Sequence, residues 1–126
     1  MAISTGGRDF NKFVYPRFGR SPYFLFCESD DPQGTGKYQK NPSLLGIDGA
    51  GIVVADFVAK EKVDVLITGR LGPNALKVIR AMNIRAYTAP ETMTLMEAIM
   101  VWKEGGLTQI SESETMPNKM DVVNNV

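Results

Sequence analysis

The stretch Val63-Asp-Val-Leu-Ile-Thr-Gly-Arg-Leu-Gly-Pro-Asn-Ala-Leu-Lys-Val-Ile79 decides the fold, because it turns directly from a buried strand into a helix. Its first part contains the apolar run Val65, Leu66 and Ile67, which is typical of a strand covered on both faces. Pro73 suits the first position of a helix, where a missing N–H costs nothing. The stretch therefore predicts a strand, a junction and a helix, as in an α/β domain.

We expect the functional site of the protein at the junction from Thr68 to Asn74. Gly69 and Gly72 permit backbone conformations that side chains would obstruct. The free amides of a helix start, the positive end of its dipole and the guanidinium of Arg70 would converge there. This combination predicts a site for an anion and leaves the chemistry open.

The rest of the chain completes an α/β pattern. We predict five strands, at 1–5, 23–27, 37–39, 63–67 and 84–87, and helices from about 46 to 62, from 73 to 82 and from 94 to 104. Turn residues at 30–36 make the second and third strands a hairpin. The later alternation of strand and helix implies parallel pairing. Thr94 and Glu97 match a capping box at the start of the last helix.

Composition limits the class of protein. A chain of 126 residues with 44% hydrophobic and 22% charged residues fits one compact domain, which we place at 1–108, followed by a polar tail at 109–126 that we expect to be mobile. Fourteen basic residues cancel fourteen acidic ones, so no global field attracts nucleic acid or an anionic membrane. No apolar run is long enough to span a bilayer, and a cytoplasmic location is the default expectation.

Cysteine and histidine usage excludes many familiar sites. The chain has one cysteine, Cys27, and no histidine, so an intrachain disulfide, a His/Cys zinc site and a nucleophile–histidine relay are all excluded within one chain. Cys27 ends an apolar strand, where an inert buried thiol is commoner than a metal ligand.

Two further groups have a metal-binding alternative that we rank below a structural role. Met93, Met96 and Met100 share a helical face that could offer thioethers to Cu(I), but such a stripe is more often core or subunit interface. Asp30 and Asp31 could bind a hard cation, but adjacent acids beside a proline are usually a solvated turn.

Three glycine-containing junctions, at 17–20, 46–51 and 69–74, could line one pocket. Ligands of open parallel sheets bind beyond the carboxyl ends of the strands, and the second and third junctions each start a helix near that edge. The alternative is that each glycine only allows a turn and each arginine is solvated. None of the junctions, nor Gly34-Thr-Gly-Lys37, has the spacing of a nucleotide fingerprint, so ATP or NAD binding is not predicted.

Four segments together resemble the dinitrogenase iron-molybdenum cofactor biosynthesis family: Pro16-Arg-Phe-Gly-Arg-Ser-Pro-Tyr-Phe24, Gly49-Ala-Gly51, Gly69-Arg-Leu-Gly-Pro-Asn-Ala75 and the helix start at 94–99. The resemblance runs from about residue 1 to 107. It implies a ribonuclease-H-like three-layer α/β domain with a mixed five-stranded sheet flanked by helices. Family members with known roles carry or insert molybdenum-containing metal–sulfur clusters, and one relative in sulfate-reducing bacteria looks like a carrier of a molybdenum–copper sulfide cluster.

This chain departs from the members that use histidine or cysteine ligands. The leading hypothesis is therefore a non-catalytic domain that holds an anionic molybdenum–sulfur cluster (Mo–Cu or Fe–Mo), or a related oxyanion, without covalent bonds. No catalytic residue and no protein metal ligand is predicted. The predicted binding residues are Arg17, Phe18, Gly19, Arg20, Gly49, Ala50, Gly51, Thr68, Gly69, Arg70, Gly72, Pro73 and Asn74.

Two rival functions stay open at this stage. A phosphoryl-transfer or nuclease enzyme would need acidic residues converging on divalent metal, with Asp9, Glu28, Asp48 and Asp64 as candidates. A regulatory module would instead bind a protein partner through exposed helix faces. A carrier also implies a partner that donates or receives the cluster. The oligomeric state is not predicted.

Overall fold

The computed structural model describes residues 1–43 and 50–111, and the strands within these ranges form one six-stranded sheet. The strand order is β3-β2-β1-β4-β5-β6. The strands are β1 (Ala2–Thr5), β2 (Tyr23–Phe26), β3 (Lys37–Lys40), β4 (Val65–Thr68), β5 (Arg85–Thr88) and β6 (Thr108–Gln109). The helices are α1 (Pro32–Thr35), α2 (Ala50–Lys60), α3 (Pro73–Ala81) and α4 (Leu95–Lys103), with a 3-10 turn at Phe18–Arg20.

The pairing of the strands follows the predicted pattern. β1 pairs with β2 in antiparallel fashion. β2 also pairs antiparallel with β3, which confirms the hairpin predicted for the second and third strands. β4 lies between β1 and β5 and is parallel to both, as the alternation of strand and helix predicts. The sheet is therefore mixed, with a parallel centre.

The predicted count of five strands is wrong. β6 pairs antiparallel with β5 through Tyr87 and Gln109, and the amide of Ile110 donates to the carbonyl of Ala86 at 2.7 Å. Two residues are too short to show a period of two in the sequence. Gln109 and the buried Ile110 lie in the segment predicted as a tail; residues 112–126 lie outside the described part of the chain. The ribonuclease-H-like classification stays a prediction.

A short helix occupies the segment predicted as a turn at 30–36. The carboxylate of Asp31 accepts a hydrogen bond from the amide of Gly34 at 3.1 Å and so caps α1. This hydrogen bond gives Asp31 a structural role, consistent with the turn interpretation of the two aspartates. Four residues of helix leave no periodicity that a sequence pattern could reveal.

Helices cover both faces of the sheet, because the apolar side chains of the strands alternate between two cores. One core joins α2 and α3 to strand residues such as Phe24 and Leu66. The other joins α4 to Ile3, Leu25 and Ile67. The three-layer arrangement predicted from the family resemblance is therefore present. No helix in the described ranges is long and apolar enough to cross a membrane.

Candidate functional site

The candidate site lies at the carboxyl edge of the parallel strands. α2 leads into β4 and α3 follows β4, so both helices begin at this edge. Their starts are close together: a methyl group on Gly51 would lie 3.4 Å from the Cβ of Ala75. Ligands of open α/β sheets bind at this edge.

A cleft of about 200 Å³ lies where the two helix starts meet the 3-10 turn. Each of the three glycine-containing junctions contributes residues to it, so the structure brings together segments that are far apart in sequence. The cleft is lined by Phe18, Gly19, Gly51, Ile52, Gly72, Pro73, Asn74 and Ala75. Gly49 lies outside the described residues, and of Ala50 only the backbone, which begins α2, is described.

The start of α3 presents unsatisfied amides to this cleft. Its N-cap residue is Gly72, which has no side chain to offer, and Pro73 follows at the first helical position. The first hydrogen bond of the helix runs from the amide of Leu76 to the carbonyl of Gly72 at 3.0 Å. Among the described residues, the amides of Asn74 and Ala75 have no hydrogen-bond acceptor, so they can donate to a bound anion.

A strap formed by residues 15–18 crosses the end of β4 and carries one of the arginines. The amide of Arg70 donates to the carbonyl of Pro16 at 2.7 Å, and the amide of Phe18 donates to the carbonyl of Arg70 at 3.0 Å. These bonds pair Arg17 with Arg70 in a parallel bridge. Both arginines are exposed, and their pairing concentrates positive charge beside the cleft.

Glycine is required at position 69 because the strap passes very close to it. A methyl group on Gly69 would lie 2.6 Å from the Cα of Pro16 and would also clash with the Pro16 carbonyl oxygen. The hydroxyl of Thr88 donates to the Gly69 carbonyl at 2.7 Å and holds the junction from the other side. Gly69 therefore shapes the site without lining the cleft.

Thr68, predicted to offer its hydroxyl to the ligand, does not reach the cleft. Its side chain is fully buried, and its Oγ1 lies 2.7 Å from Oγ of Ser4, which donates to the carbonyl of Tyr15 at 3.0 Å. The hydroxyl thus holds the strap in place. Arg20 ends the 3-10 turn next to Gly19 and is exposed, but, like Arg17 and Arg70, it does not line the cleft.

The three described acidic candidates for a metal-dependent enzyme, Asp9, Glu28 and Asp64, do not meet at one place. Asp9 follows β1 at the carboxyl edge, whereas Glu28 follows the antiparallel β2 and Asp64 precedes β4, both at the opposite edge. Asp48 lies outside the described residues. Within residues 1–43 and 50–111, no group of three or more Cys, Asp or Glu side chains could hold a metal ion.

Cys27 lies far from the cleft. Its amide donates to the carbonyl of Met1 at the opposite edge of the sheet, where the side chain lines a separate cavity of about 170 Å³. The thiol is buried, as predicted, and burial raises its pKa above the ordinary value. Met93 and Met96 pack half-buried against the α4 core, which favours the core interpretation, whereas Met100 is exposed.

Asn41, which precedes Pro42, has a role at the site that the sequence alone does not reveal. Asn41 is 2% exposed, and its Nδ2 donates to the carbonyl of the cleft residue Gly19 at 3.1 Å. An Asn-Pro pair signals a turn. No local pattern could reveal a hydrogen-bond partner more than twenty residues away.

Comparison with known proteins places the chain in a family. The sequence profile of the family described as dinitrogenase iron-molybdenum cofactor matches residues 1–105. An uncharacterized protein of Methanocaldococcus jannaschii is 30% identical over 98 residues, which cover 77% of this chain and 82% of that protein. The family resemblance read from the four sequence segments is thereby confirmed.

Solved structures agree in fold. The apo form of the orange protein from Desulfovibrio gigas superposes with a TM-score of 0.82 at 28% identity and covers 94% of both chains. The NMR structure of a Thermotoga protein described as a candidate NifB superposes with a TM-score of 0.75 at 26% identity, over 94% of this chain and 96% of that one. Since the profile matches most of its length, the chain belongs to the dinitrogenase iron-molybdenum cofactor family.

Proposed function

We propose that this protein is a non-catalytic carrier that binds a small anionic molybdenum–sulfur cluster, or a related oxyanion, in the cleft. The observation that carries the proposal is the convergence of two helix starts on one cavity, with the α3 start left uncapped. Helix starts attract anions through their free amides and the positive end of the dipole.

Local charge supports an anionic ligand although the whole chain is neutral. Arg17 and Arg70 stand side by side in the strap, and Arg20 follows the lining residue Gly19. Guanidinium groups donate several hydrogen bonds to oxo or sulfido ligands. We expect the three arginines to close over the anion while the amides of Asn74 and Ala75 hold it from below.

The available side chains fit a ligand held without metal–protein bonds. The chain has no histidine, and Cys27 is buried at the opposite edge of the sheet. Sulfide and oxide ligands accept hydrogen bonds, so a preformed anion needs no protein ligand. A cleft of about 200 Å³ corresponds to about seven water molecules and suits an anion of a few metal and sulfur atoms.

The relatives support cofactor handling. The family is named for the dinitrogenase iron-molybdenum cofactor, and one structural neighbour is described as a candidate NifB protein. The structurally similar orange protein is described as an apo form, a term used for a protein without its bound group. A carrier must also meet a donor or an acceptor, and the exposed apolar side chains of Ile52 and Val53 beside the cleft offer contact area for such a protein. We expect this exchange to take place in the cytoplasm.

The test is an anaerobic titration with tetrathiomolybdate, with and without Cu(I). Binding is followed by the visible charge-transfer bands and by the Mo and Cu retained after desalting. We expect stoichiometric retention by the wild type and its loss in the triple variant Arg17→Gln, Arg20→Gln, Arg70→Gln.

A matched control removes the same charge at the opposite edge. Lys37, Arg85 and Lys103 are exposed there, and their triple replacement by Gln should leave retention unchanged. Equal loss of retention in both triple variants would show that the net charge of the protein, rather than the three arginines near the cleft, controls binding. Absence of retained metal in the wild type would refute the carrier function.

A further inference from the structure

Asn41 is a buried polar residue that forms hydrogen bonds near the cleft. Its backbone amide donates to the carbonyl of Pro22 at 3.0 Å, and its side-chain Nδ2 donates to the carbonyl of Gly19 at 3.1 Å. Its Oδ1 accepts from the amide of Ser43 at 2.8 Å. Burying a side-chain amide costs free energy unless it is hydrogen-bonded, so these contacts explain how asparagine is tolerated at 2% exposure.

The bond to Gly19 has a consequence for an anion in the cleft. Gly19 lines the cleft, and the lone pairs of an unengaged carbonyl there would repel a bound anion. Asn41, which does not line the cleft, donates a hydrogen bond to that carbonyl.

We propose that Asn41 is a positioning residue of the cleft, which holds the Gly19 carbonyl away from the anion and thereby raises anion affinity. This inference rests on the proposed function, because it assigns a role within the same site. Asn41 acts through Gly19 and makes no contact with the ligand.

The first test compares Asn41→Leu with a control of similar structural cost. Leucine has the same number of side-chain heavy atoms as asparagine, branched at the same carbon, and removes both side-chain hydrogen bonds. Ile99→Val creates a small defect in the α4 core, on the other face of the sheet. Tetrathiomolybdate should bind to Asn41→Leu with about tenfold lower affinity, whereas Ile99→Val should match the wild type.

A second measurement tests the positioning without a ligand. The amides of Arg20 and Ser21 donate to the carbonyls of Arg17 and Phe18 within the 3-10 turn. Their hydrogen exchange should accelerate about tenfold in Asn41→Leu and stay at the wild-type rate in Ile99→Val. If leucine prevents folding, Asn41→Ala serves with the same expected results.

The outcomes separate the two proposals. A wild type that binds no tetrathiomolybdate refutes the proposed function, and unchanged exchange in Asn41→Leu independently refutes the positioning. A wild type that binds, together with an Asn41→Leu variant of equal affinity, overturns the role of Asn41 while leaving the carrier function intact. Reduced affinity with accelerated exchange supports both.

Discussion

The starts of α3 and α4 lie on opposite faces of the same sheet. Both have first-turn amides without an acceptor inside the helix, but the two starts differ in what those amides bind. In α4 the amide of Glu97 donates to Oγ1 of Thr94 at 3.2 Å, and the amide of Thr94 donates to Oε1 of Glu97 at 3.0 Å. The amide of Leu95 donates to the carbonyl of Lys12 at 2.9 Å. The protein itself therefore satisfies the start of α4.

The start of α3 has none of these features within the described residues. Gly72 offers no side-chain acceptor, and Pro73 removes one amide. Both helices carry the same kind of dipole, so the difference lies in what their first amides bind. A helix start therefore becomes a candidate ligand site when the sequence provides no capping side chain and the fold places a cavity there.

Gly69→Ala should have the strongest effect, because it forces the strap away from the end of β4. The added methyl group would meet the backbone of Pro16, which cannot rotate aside. We expect the free energy of unfolding to fall by about 2–3 kcal/mol in urea titrations. Tetrathiomolybdate retention should fall with it, because Arg17 would lose its pairing with Arg70.

Gly72→Ala is the control for this substitution. A methyl group on Gly72 would have no neighbour within 4 Å, so the variant tests loss of glycine without a clash. Its cost should be at most about 1 kcal/mol, the difference between glycine and alanine at an N-cap. Equal destabilisation by the two alanines would contradict the close approach of the strap.

The second prediction converts the α3 start into an α4-like one. Gly72 has φ −71° and ψ 161°, which is suitable for a capping side chain. Gly72→Asp should stabilise the protein by about 0.5–1 kcal/mol, because its carboxylate binds the free amides and complements the dipole. The same carboxylate occupies the anion site, so tetrathiomolybdate affinity should fall by about tenfold or more.

The mirror variant, Thr94→Ala, opens the α4 start. Loss of the cap should cost about 1 kcal/mol of stability and leave tetrathiomolybdate affinity unchanged, because α4 lies on the other face of the sheet. Thermal unfolding and the titration together separate the two sites. Stronger anion binding by Gly72→Asp would show that the free amides of α3 do not bind the ligand.

The smallest expected effect concerns pH. Hydrogen bonds from the backbone and the side chain of Thr94 hold the pKa of Glu97 below its ordinary value of 4.5. Because the folded state favours the ionised carboxylate, its contribution to stability is present above about pH 4.5 and is lost as the pH falls through the folded pKa. Glu97 is fully exposed, so the contribution is small.

Glu97→Gln tests this contribution. Glutamine keeps an acceptor for the amide of Thr94 but does not titrate. Between about pH 5 and pH 3 the stability of the variant should fall less than that of the wild type, measured by urea unfolding at each pH. Identical pH profiles of the variant and the wild type would mean that the hydrogen bonds from Thr94 do not favour the ionised form of Glu97 over the protonated form.

The elements predicted most accurately are those with local signals. The capping box at Thr94 and Glu97 forms as its spacing predicts, and α3 begins at Pro73 as predicted. β6 and α1 were missed because each is too short to carry a periodic pattern. Pairing of β6 with β5 is a tertiary contact that follows a turn at 104–105.

The sequence predicted which segments meet at the cleft, but not which side chains hold them there. The three glycine-containing junctions could be grouped from the expected topology, since helix starts of a parallel sheet meet at one edge. The buried role of Thr68 depends on Ser4, and the role of Asn41 depends on Gly19. Such side-chain partners come from distant strands, and no local pattern connects them.

The alternation of strands and helices and the two kinds of helix start follow from the sequence, because they depend on residues within a few positions of one another. Composition alone excludes histidine ligands. Only the tertiary structure decided that the α3 start faces a cleft, that the strap demands glycine at position 69, and that Thr68 and Asn41 brace the walls. Those features depend on distances between segments far apart in the chain, which the packing of the whole sheet sets.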